Sequence, residues 1–534
     1  MHSGGEKVQR VGADALRRML TDGEELALLD MREELTFSQN HLLHARSLPL
    51  SRLEMKMARL VPRRGTRIVL CDDDDGLAER AAAILRRAGY TDMSVLDGGV
   101  GAWAAAGYEL FSGVNVPSKA FGEFVEHDSG TPNVGADELA RMMRAGEDIV
   151  VLDSRPFDEY SRISIPTSTN VPGAELVLRV HDLAPSPATT VVVNCAGRTR
   201  SIIGAQSLIN AGIPNKVVAL RNGTMGWTLA GFQCDSGKNR RALDVSAGGL
   251  ANAKVAAQRV AQRFGVTVIE RATFDHWRAE ADTRTLYVFD VRNPDEYEAG
   301  HVPGAISAPG GQLVQATDQY VGTLRARIVL VDDKAVRAIM TASWLLQMGW
   351  TDVAVLTESG TETGWPAAPL IGDPPRRDLA IAPAKLAALL AKNAATVVDL
   401  SYSREYHRAH ISGAWFAIRS QLAQALATIA ASKGLVFTSE DGTLAALAAS
   451  DATAMTDRRV RYLDGGNAAW KAAGYPLTAD DPRLANEAVD LWLKPYERAA
   501  NVQDAMNEYL SWEVDLLDRI RRDESVKFRS AATP

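Results

Sequence analysis

The chain has 534 residues, of which 46% are apolar and 23% are charged, and its formal net charge is -7 at pH 7. This length exceeds what one hydrophobic core serves, so we expect about three to five domains. The acidic balance disfavours nucleic acid or an anionic membrane as a partner. Only three cysteines occur, too few for a disulfide framework or a zinc site of four thiolates. Such cysteine usage suits a reducing compartment, and we expect a cytoplasmic protein.

Motifs for targeting and for cofactors are missing from the sequence. Residues 1–7 lead into charged sequence without the apolar region of a signal peptide, and the chain contains no run of 18 apolar residues. We therefore expect neither secretion nor membrane insertion. The glycine patterns of nucleotide-binding loops and the histidine or cysteine pairs of metal sites are also missing, so we expect no cofactor and no metal.

A single pattern occurs four times along the chain. Each copy begins with an apolar strand that ends in an aspartate: Asp30, Asp153, Asp290 and Asp399. A second apolar strand ends 41, 42, 41 and 39 residues later, at Cys71, Cys195, Val331 and Thr438. A glycine-flanked tryptophan follows after 32, 32, 34 and 32 residues, at Trp103, Trp227, Trp365 and Trp470. Because strand patterns alternate with helical ones, the repeat predicts four tandem α/β domains, each a parallel sheet flanked by helices.

Polar and proline-rich joints between the copies give the domain boundaries. We place the domains at residues 8–115, 130–236, 265–372 and 373–480, with a linking helix in 237–264 and a helical C-terminal tail in 481–534. In the tail, Met506, Leu510, Val514 and Leu517 recur at helical spacing. This apolar face predicts packing on the domains of the same chain, with pairing of two subunits in a homodimer as the alternative.

Cys195 opens the segment with the strongest chemical signal. It follows a run of three valines and Asn194, and the loop that it begins contains Gly197 and two arginines before a helical pattern over 201–211. Backbone amides of such a loop and the N-terminus of the next helix stabilise an anion. We therefore predict that Cys195 is a nucleophilic thiolate. Arg198 and Arg200 would bind an anionic substrate, unless one of them, with Arg200 favoured, instead braces the loop by pairing with a carboxylate.

The combined motifs resemble the rhodanese (thiosulfate sulfurtransferase) family. The third copy contains the Asp-x-Arg, Glu-Tyr and Gly-His-x-x-Gly-Ala pieces between Asp290 and Ala305, and the second contains Asp153, Arg155, Glu159 and Tyr160. The resemblance implies a five-stranded parallel sheet in each unit and a cysteine that carries sulfur as a persulfide. Cys195 to Arg200 matches the sulfurtransferase loop of cysteine, four residues and arginine. The resemblance therefore implies a sulfurtransferase that moves sulfur from thiosulfate or a related small anion to cyanide, a small thiol or a protein thiol.

The other three copies depart from this loop. Cys71 is followed by four aspartates, which disfavour a thiolate, and Val331 and Thr438 replace the nucleophile. We therefore predict one catalytic site per chain, with three inactive domains. The candidate binding residues around Cys195 are Ala196, Gly197, Arg198, Thr199, Arg200, Ser201 and Arg155. For Arg155, as for Asp153, a structural role in locking the strand to the loop is favoured.

Two other functions remain open at this point. A cysteine phosphatase or arsenate reductase uses a similar loop with one more residue before its arginine, but Ser201 occupies that place here. A non-catalytic scaffold or a sensor of sulfur species would explain the loss of cysteine in two copies. A sensor requires a second thiol, for which Cys234 is the nearby candidate, although an ordinary packed cysteine is favoured there.

Overall fold

The computed structural model describes residues 8–430 and 433–529. Residues 1–7, on which the expectation of no secretion signal partly rests, lie outside that range. Four α/β domains follow one another along the chain, as the repeat predicts. In each, a parallel sheet is flanked by helices, and the four sheets have the same strand order in their central part. Within the described ranges, no helix is long and apolar enough to cross a membrane.

The first domain forms a sheet in the order β1-β5-β4-β2, with β3 also paired to β2. Its strands are β1 Gln9–Val11, β2 Leu26–Asp30, β3 Arg46–Ser47, β4 Ile68–Cys71 and β5 Met93–Leu96. Its helices are α1 Ala13–Met19, α2 Glu34–Gln39, α3 Leu53–Leu60, α4 Leu77–Arg87 and α5 Gly99–Ala105. The joint after this domain is a helix of its own, α6, which spans Val116–Ser129 and has proline in its first turn.

The second domain has the sheet order β6-β10-β9-β7-β8. The strands are β6 Asn133–Val134, β7 Ile149–Asp153, β8 Thr169–Asn170, β9 Thr190–Asn194 and β10 Val217–Leu220. The helices are α7 Ala136–Arg144, α8 Phe157–Arg162, α9 Leu176–Leu183, α10 Thr199–Asn210 and α11 Gly223–Leu229. The predicted linking helix follows as α12, Ala247–Phe264, and its buried alanines join the cores of the second and third domains into one cluster.

The third domain repeats this order as β11-β16-β15-β12-β13. Its elements are β11 Thr267–Ile269, α13 Arg271–Ala279, β12 Leu286–Asp290, α14 Pro294–Ala299, β13 Ile306–Ser307, α15 Gly310–Gln315, α16 Thr317–Tyr320, β14 Thr323–Leu324, β15 Arg327–Val331, α17 Val336–Gln347 and β16 Val353–Leu356. Strand β14 is not part of the third domain's sheet. It pairs antiparallel with β2 of the first domain. Trp365 lies in irregular structure and is 56% exposed, whereas the three matching tryptophans are buried.

The fourth domain has the order β17-β21-β20-β18-β19-β22. Its elements are β17 Ala380–Ile381, α18 Pro383–Ala391, β18 Ala395–Asp399, α19 Ser403–Arg408, β19 Trp415–Phe416, α20 Leu422–Thr428, β20 Gly434–Thr438, α21 Thr443–Ala452, β21 Val460–Leu463, α22 Gly466–Ala472 and β22 Arg483–Leu484. Strand β22 comes from beyond the predicted boundary at residue 480.

The tail ends in a long helix, α23, which spans Val502–Arg522 and packs on α6 within the same chain. Met506, Leu510 and Leu517 of the predicted apolar face are buried, but Val514 is 50% exposed. Val514, four residues after Leu510, does not face the domains. The helical period of 3.6 residues places Glu513 on that side instead. Packing of α23 on its own chain agrees with the favoured alternative for this segment, and pairing of subunits stays a prediction.

Candidate active site

Cys195 lies at the carboxyl end of β9, between the neighbouring strands β10 and β7. The chain turns there through residues 195–198 and enters α10 at Thr199. Parallel α/β sheets place ligand sites at this edge because several loops converge on it. The start of α11 supports the turn, since the amides of Thr224 and Met225 donate to the carbonyls of Cys195 and Ala196 at 2.8 and 3.0 Å. Gly223 has a positive φ of 54°, and a β-carbon there would overlap the Cys195 carbonyl.

The thiol of Cys195 is only 2% exposed. Its Sγ lies 3.4 Å from the hydroxyl of Ser201, which also donates to the Arg198 carbonyl at 2.8 Å. The N-terminus of α10 points at this region, where the helix dipole favours negative charge. Burial opposes the charge of Arg200, but Glu159 outweighs it and raises the pKa of the guanidinium group. The structure therefore places the cysteine, the serine and the start of α10 together.

Arg200 braces the active loop against two other elements. Its guanidinium is 2.8 Å from Glu159 Oε2 on α8 and donates to Gln312 of the third domain at 3.1 Å. Burial opposes ionisation of Glu159, but Arg200 and then Lys494 outweigh it and hold its pKa well below the usual range. Glu159 is therefore a carboxylate at neutral pH, as the bracing interpretation of Arg200 requires.

Arg198 is held in the same way from the other side of the loop. It donates through Nε and Nη2 to the carboxylate of Glu123 at 2.7 and 2.6 Å, and it also contacts Glu126. Both acids lie on α6. A further donation to Asn222 spans 3.2 Å. Only 10% of the Arg198 side chain and 9% of the Arg200 side chain are exposed, so both contacts fit a bracing role. Binding of a substrate anion by either arginine stays a prediction.

The remaining candidates lie around the loop. Arg155 is buried, pairs with Asp153 at 2.6 Å and donates to the Ile163 carbonyl at 2.6 Å. These contacts hold β7 against the chain that follows α8, and the role of this pair in locking the strand to the active loop stays a prediction. The Ala196 carbonyl accepts from α11, and the Thr199 hydroxyl lies 3.3 Å from Glu513.

Side chains of α6, α11 and α23 form a wall over the loop at Gly197. A β-carbon at Gly197 would lie 2.9 Å from the Met225 methyl and 3.0 Å from Glu513 Oε2. Glu513 is fully buried on α23, and its Oε1 accepts from Lys119 Nζ of α6 at 2.8 Å and from the Tyr509 hydroxyl at 3.2 Å. Burial opposes the charge of Lys119, but Glu513 outweighs it and raises the pKa of the lysine. Within the described residues, Glu513 Oε2 has no hydrogen-bond partner.

Sequence reasoning missed this wall. Lys119 and Glu513 are 394 positions apart, and neither belongs to the repeated pattern. Lys494, whose Nζ lies 3.1 Å from Glu159, was missed for the same reason. The only available signal was the placement of Glu513 three residues after Leu510 on the apolar side of a helix, where an acid is unusual.

In the matching loops of the first and third domains, an aspartate of the loop itself accepts hydrogen bonds from backbone amides of the loop. Asp72 accepts from the amides of Asp74 and Ala78 at 3.0 and 2.9 Å. Asp332 accepts from the amides of Lys334 and Arg337 at 3.2 and 2.8 Å. In the second domain the same position is Ala196, whose methyl group cannot accept hydrogen bonds from the loop. The loop of the second domain therefore contains no carboxylate of its own at this position, and the carboxylate that lies against it, that of Glu513, comes from α23.

The two other cysteines have environments that disfavour a thiolate. Burial, followed by the charge of Asp30, raises the pKa of Cys71 well above its usual value despite the nearby Arg32. Burial also raises the pKa of Cys234, although the contact of 3.7 Å with the Thr228 hydroxyl acts to lower it. Across the described part of the chain, no group of three or more histidine, cysteine, aspartate or glutamate side chains is placed to hold a metal ion.

Four α/β domains with the same strand order in their central parts define a tandem-repeat protein. The family model of the rhodanese-like domain matches residues 12–106, 135–230, 274–362 and 382–473. The chain therefore belongs to the rhodanese family. It is similar to the crystal structure of thiosulfate sulfurtransferase from Pseudomonas aeruginosa, with 48% identity, a TM-score of 0.94, and coverage of 98% of this chain and 99% of that one.

Two curated relatives match a shorter part of the chain. One is the HTH-type transcriptional regulator Rv0324 of Mycobacterium tuberculosis, 33% identical over 100 residues, which are 19% of this chain and 43% of the relative. The other is the uncharacterized protein slr1261 of Synechocystis, 34% identical over 100 residues, which are 19% of this chain and 55% of the relative. The chain thus spans about half the length of these relatives.

Proposed function

We propose that this protein is a sulfurtransferase that carries sulfane sulfur as a persulfide on Cys195. The observation that carries the proposal is the cysteine loop of the second domain, which contains no carboxylate of its own. Its cysteine lies at the N-terminus of α10, and Ala196 stands where Asp72 and Asp332 fill the loops of two other domains. An anion of one sulfur atom fits such a loop. The likeness to a solved thiosulfate sulfurtransferase at 48% identity supports thiosulfate as the donor class.

In the first half-reaction, the Cys195 thiolate attacks the outer sulfur of thiosulfate. A bond forms between Sγ and that sulfur, the bond to the sulfonate sulfur breaks, and sulfite leaves with the electron pair. The negative charge of the new persulfide lies on its outer sulfur. Backbone amides of residues 196–200 and the start of α10 stabilise this charge, since preorganised amides act strongly in a buried site.

In the second half-reaction, a thiolate or cyanide attacks the outer sulfur of the persulfide. The sulfur–sulfur bond breaks, the acceptor leaves as a persulfide or as thiocyanate, and the Cys195 thiolate is restored. Arg198 and Arg200 keep the loop in one geometry through their ion pairs with Glu123 and Glu159. Sulfite leaves the site before the acceptor binds. Two separate half-reactions through one covalent intermediate predict ping-pong kinetics.

The decisive experiment measures intact mass after exposure to thiosulfate and removal of small molecules. The wild type should gain one sulfur, about 32 Da, which cyanide then removes as thiocyanate. Cys195→Ala should gain nothing, and the matched control Cys71→Ala should behave like the wild type. If the wild type gains no sulfur from several sulfane donors, the proposal fails. Equal losses from both variants would contradict the assignment of one site per chain.

A further inference from the structure

A large cavity lies where α2, α8 and α19 meet residues 488–498, ahead of α23. Its volume is about 770 Å³, within the usual range of small-molecule sites. Apolar side chains form part of its wall: Leu35, Leu491, Trp492, Leu493 and Tyr496. The side chains of Arg162 and Arg408, which also line it, are 53% and 56% exposed. The cavity therefore opens to solvent.

The charged groups of this cavity are mostly positive. Four arginines and one glutamate line it: Arg162, Arg404, Arg408, Arg498 and Glu497. Glu497 Oε1 lies 3.2 Å from Arg162 Nη1 and 3.4 Å from Arg404 Nη1. Glu405 on α19 lies 2.9 Å from Arg404 and 3.3 Å from Arg408. The four guanidinium groups thus share two carboxylates, whereas the whole chain has a net charge of -7.

Arg498 is the arginine of this cavity without a carboxylate partner. It is exposed, and no ion pair of the described residues includes it. A guanidinium group presents a planar fork of donors that matches a carboxylate. A ligand with a carboxylate and an apolar body would therefore meet both the excess charge and the apolar wall. A bare inorganic anion would leave that wall uncovered.

Helix α8 joins this cavity to the cysteine loop. Arg162, at the end of α8, lines the cavity, and Glu159 of the same helix holds Arg200 of the loop at 2.8 Å. Lys494, just ahead of the cavity residues 496–498, reaches Glu159 at 3.1 Å. The same two segments thus form a wall of the cavity and the brace of the active loop.

Tyr496 makes a second connection between the cavity and the loop. It lines the cavity and packs in an apolar cluster with Met225 of α11. The methyl group of Met225 in turn lies against Gly197, two residues after Cys195. A ligand in the cavity would therefore lie beside the loop that contains the nucleophile.

We propose that this cavity binds the sulfur acceptor and selects a small thiol that carries a carboxylate, an inference that rests on the Cys195 persulfide of the proposed function. The carboxylate pairs with the arginines of the cavity, and the body of the acceptor packs on Trp492 and Tyr496. Thiosulfate has no apolar body for this wall, so the cavity suits the acceptor and not the donor. In the transfer, the acceptor thiolate bonds to the outer sulfur of the persulfide, the old sulfur–sulfur bond breaks, and its electron pair returns to Cys195 Sγ.

The kinetic test follows discharge of the persulfide by two matched thiols. N-acetylcysteine carries a carboxylate, and N-acetylcysteine amide has a neutral carboxamide in its place. Protein that has been loaded with thiosulfate and freed of small molecules is mixed with each thiol, and mass spectrometry times the loss of about 32 Da. At limiting concentration, and corrected for the thiolate fraction, N-acetylcysteine should react at least about 10-fold faster, as expected for a charge-assisted contact.

The double variant Arg408→Gln/Arg498→Gln removes two positive charges from the cavity. It should reduce the preference for the carboxylate to less than about 3-fold, whereas Arg144→Gln, at an exposed arginine of α7 that does not line the cavity, should keep it. A variant that does not fold would also fail to gain sulfur from thiosulfate, which the same samples measure. Equal rates with the two thiols in the wild type would overturn the proposal, as would an unchanged preference in the double variant.

Calorimetry tests the cavity without the persulfide. N-acetylmethionine has a carboxylate and an apolar thioether but no thiol, so its binding does not depend on sulfur transfer. We expect a dissociation constant of about 1 mM or below, and binding of N-acetylmethioninamide that is weaker by at least about 10-fold. Failure of N-acetylmethionine to bind would overturn the inference even if Cys195 carries sulfur. Binding to a protein that gains no sulfur would instead refute the proposed function and the acceptor role, and leave a carboxylate site.

Discussion

The buried pair of Lys119 and Glu513 offers the sharpest test of how the tail is attached to the active loop. Glu513 has a side-chain exposure of 0% and Lys119 one of 11%, and Nζ and Oε1 are 2.8 Å apart. Removal of one partner from such a pair leaves an uncompensated buried charge, which costs about 3–5 kcal/mol. We therefore expect Glu513→Gln and Lys119→Met each to weaken the docking of α23 by about 3 kcal/mol or more.

Hydrogen–deuterium exchange at the amides of α23 measures this docking directly, because a chain of four domains need not unfold in one step. A loss of about 3 kcal/mol corresponds to exchange that is faster by roughly 100-fold. The double variant Lys119→Met/Glu513→Leu removes both charges, so its loss should be much smaller than the sum of the single losses. Glu138→Gln breaks the exposed pair with Arg141, whose side chains are both 52% exposed, and serves as the control.

Loss of the control pair should change exchange in α7 very little, because water screens an ion pair between exposed side chains. The reasoning would be refuted if Glu513→Gln changed exchange in α23 no more than Glu138→Gln changed it in α7. Additive losses in the double variant would also refute it, since they would show that the two charges do not interact.

Three further predictions concern other parts of the chain. Arg200→Lys, which loses the two-pronged contact with Glu159, should lower kcat/KM for thiosulfate by about 10- to 100-fold with cyanide as acceptor, and an unchanged value would show that the brace is dispensable. Burial raises the pKa of Glu33 to about 7 from 4.5, despite hydrogen bonds from Ser420 and Ser51. Because the folded state binds this proton more tightly, stability is lost as pH rises from about 4.5 through 7, by up to roughly 3 kcal/mol. Glu33→Gln should therefore raise the unfolding temperature above wild type at pH 8 but not at pH 5, and an equal gain at both pH values would contradict the assignment. Arg337→Met should destabilise the contact of the second and third domains by about 3 kcal/mol or more, because the buried guanidinium group lies 2.8 Å from both Glu175 and Asp332. Thermal unfolding measures this loss, with the exposed Arg376→Met as the control that should stay near wild type.

The repeated part of the molecule could be predicted from sequence because its signals are local. Strand ends at Asp30, Asp153, Asp290 and Asp399 and the helix after Cys195 all depend on short patterns of apolar residues, and the structure has each of them. Trp365 shows the limit of such patterns. It has the expected spacing, but no helix forms around it, so the residue stays exposed.

The contacts between distant parts of the chain could not be predicted in this way. Arg198 was expected near the cysteine, yet its partners Glu123 and Glu126 lie on a helix that appeared in the sequence only as a joint between domains. Likewise, β14 of the third domain completes the sheet of the first. Such pairings depend on how whole domains pack against each other. A single sequence contains no local pattern that signals this packing.

The first, third and fourth domains support the cysteine site of the second domain. Gln312 of the third domain accepts a hydrogen bond from Arg200 of the active loop at 3.1 Å. The linker helix after the first domain supplies Glu123 and Lys119, and the tail after the fourth supplies Glu513 and Lys494. The first domain anchors α6, and the fourth domain anchors the tail. These domains therefore hold the walls of the cysteine site in place, although they do not contain Cys195. A fragment of residues 130–236 would retain Cys195 but lose every one of these walls, so the active loop of the isolated second domain should be more exposed and less rigid than in the full chain.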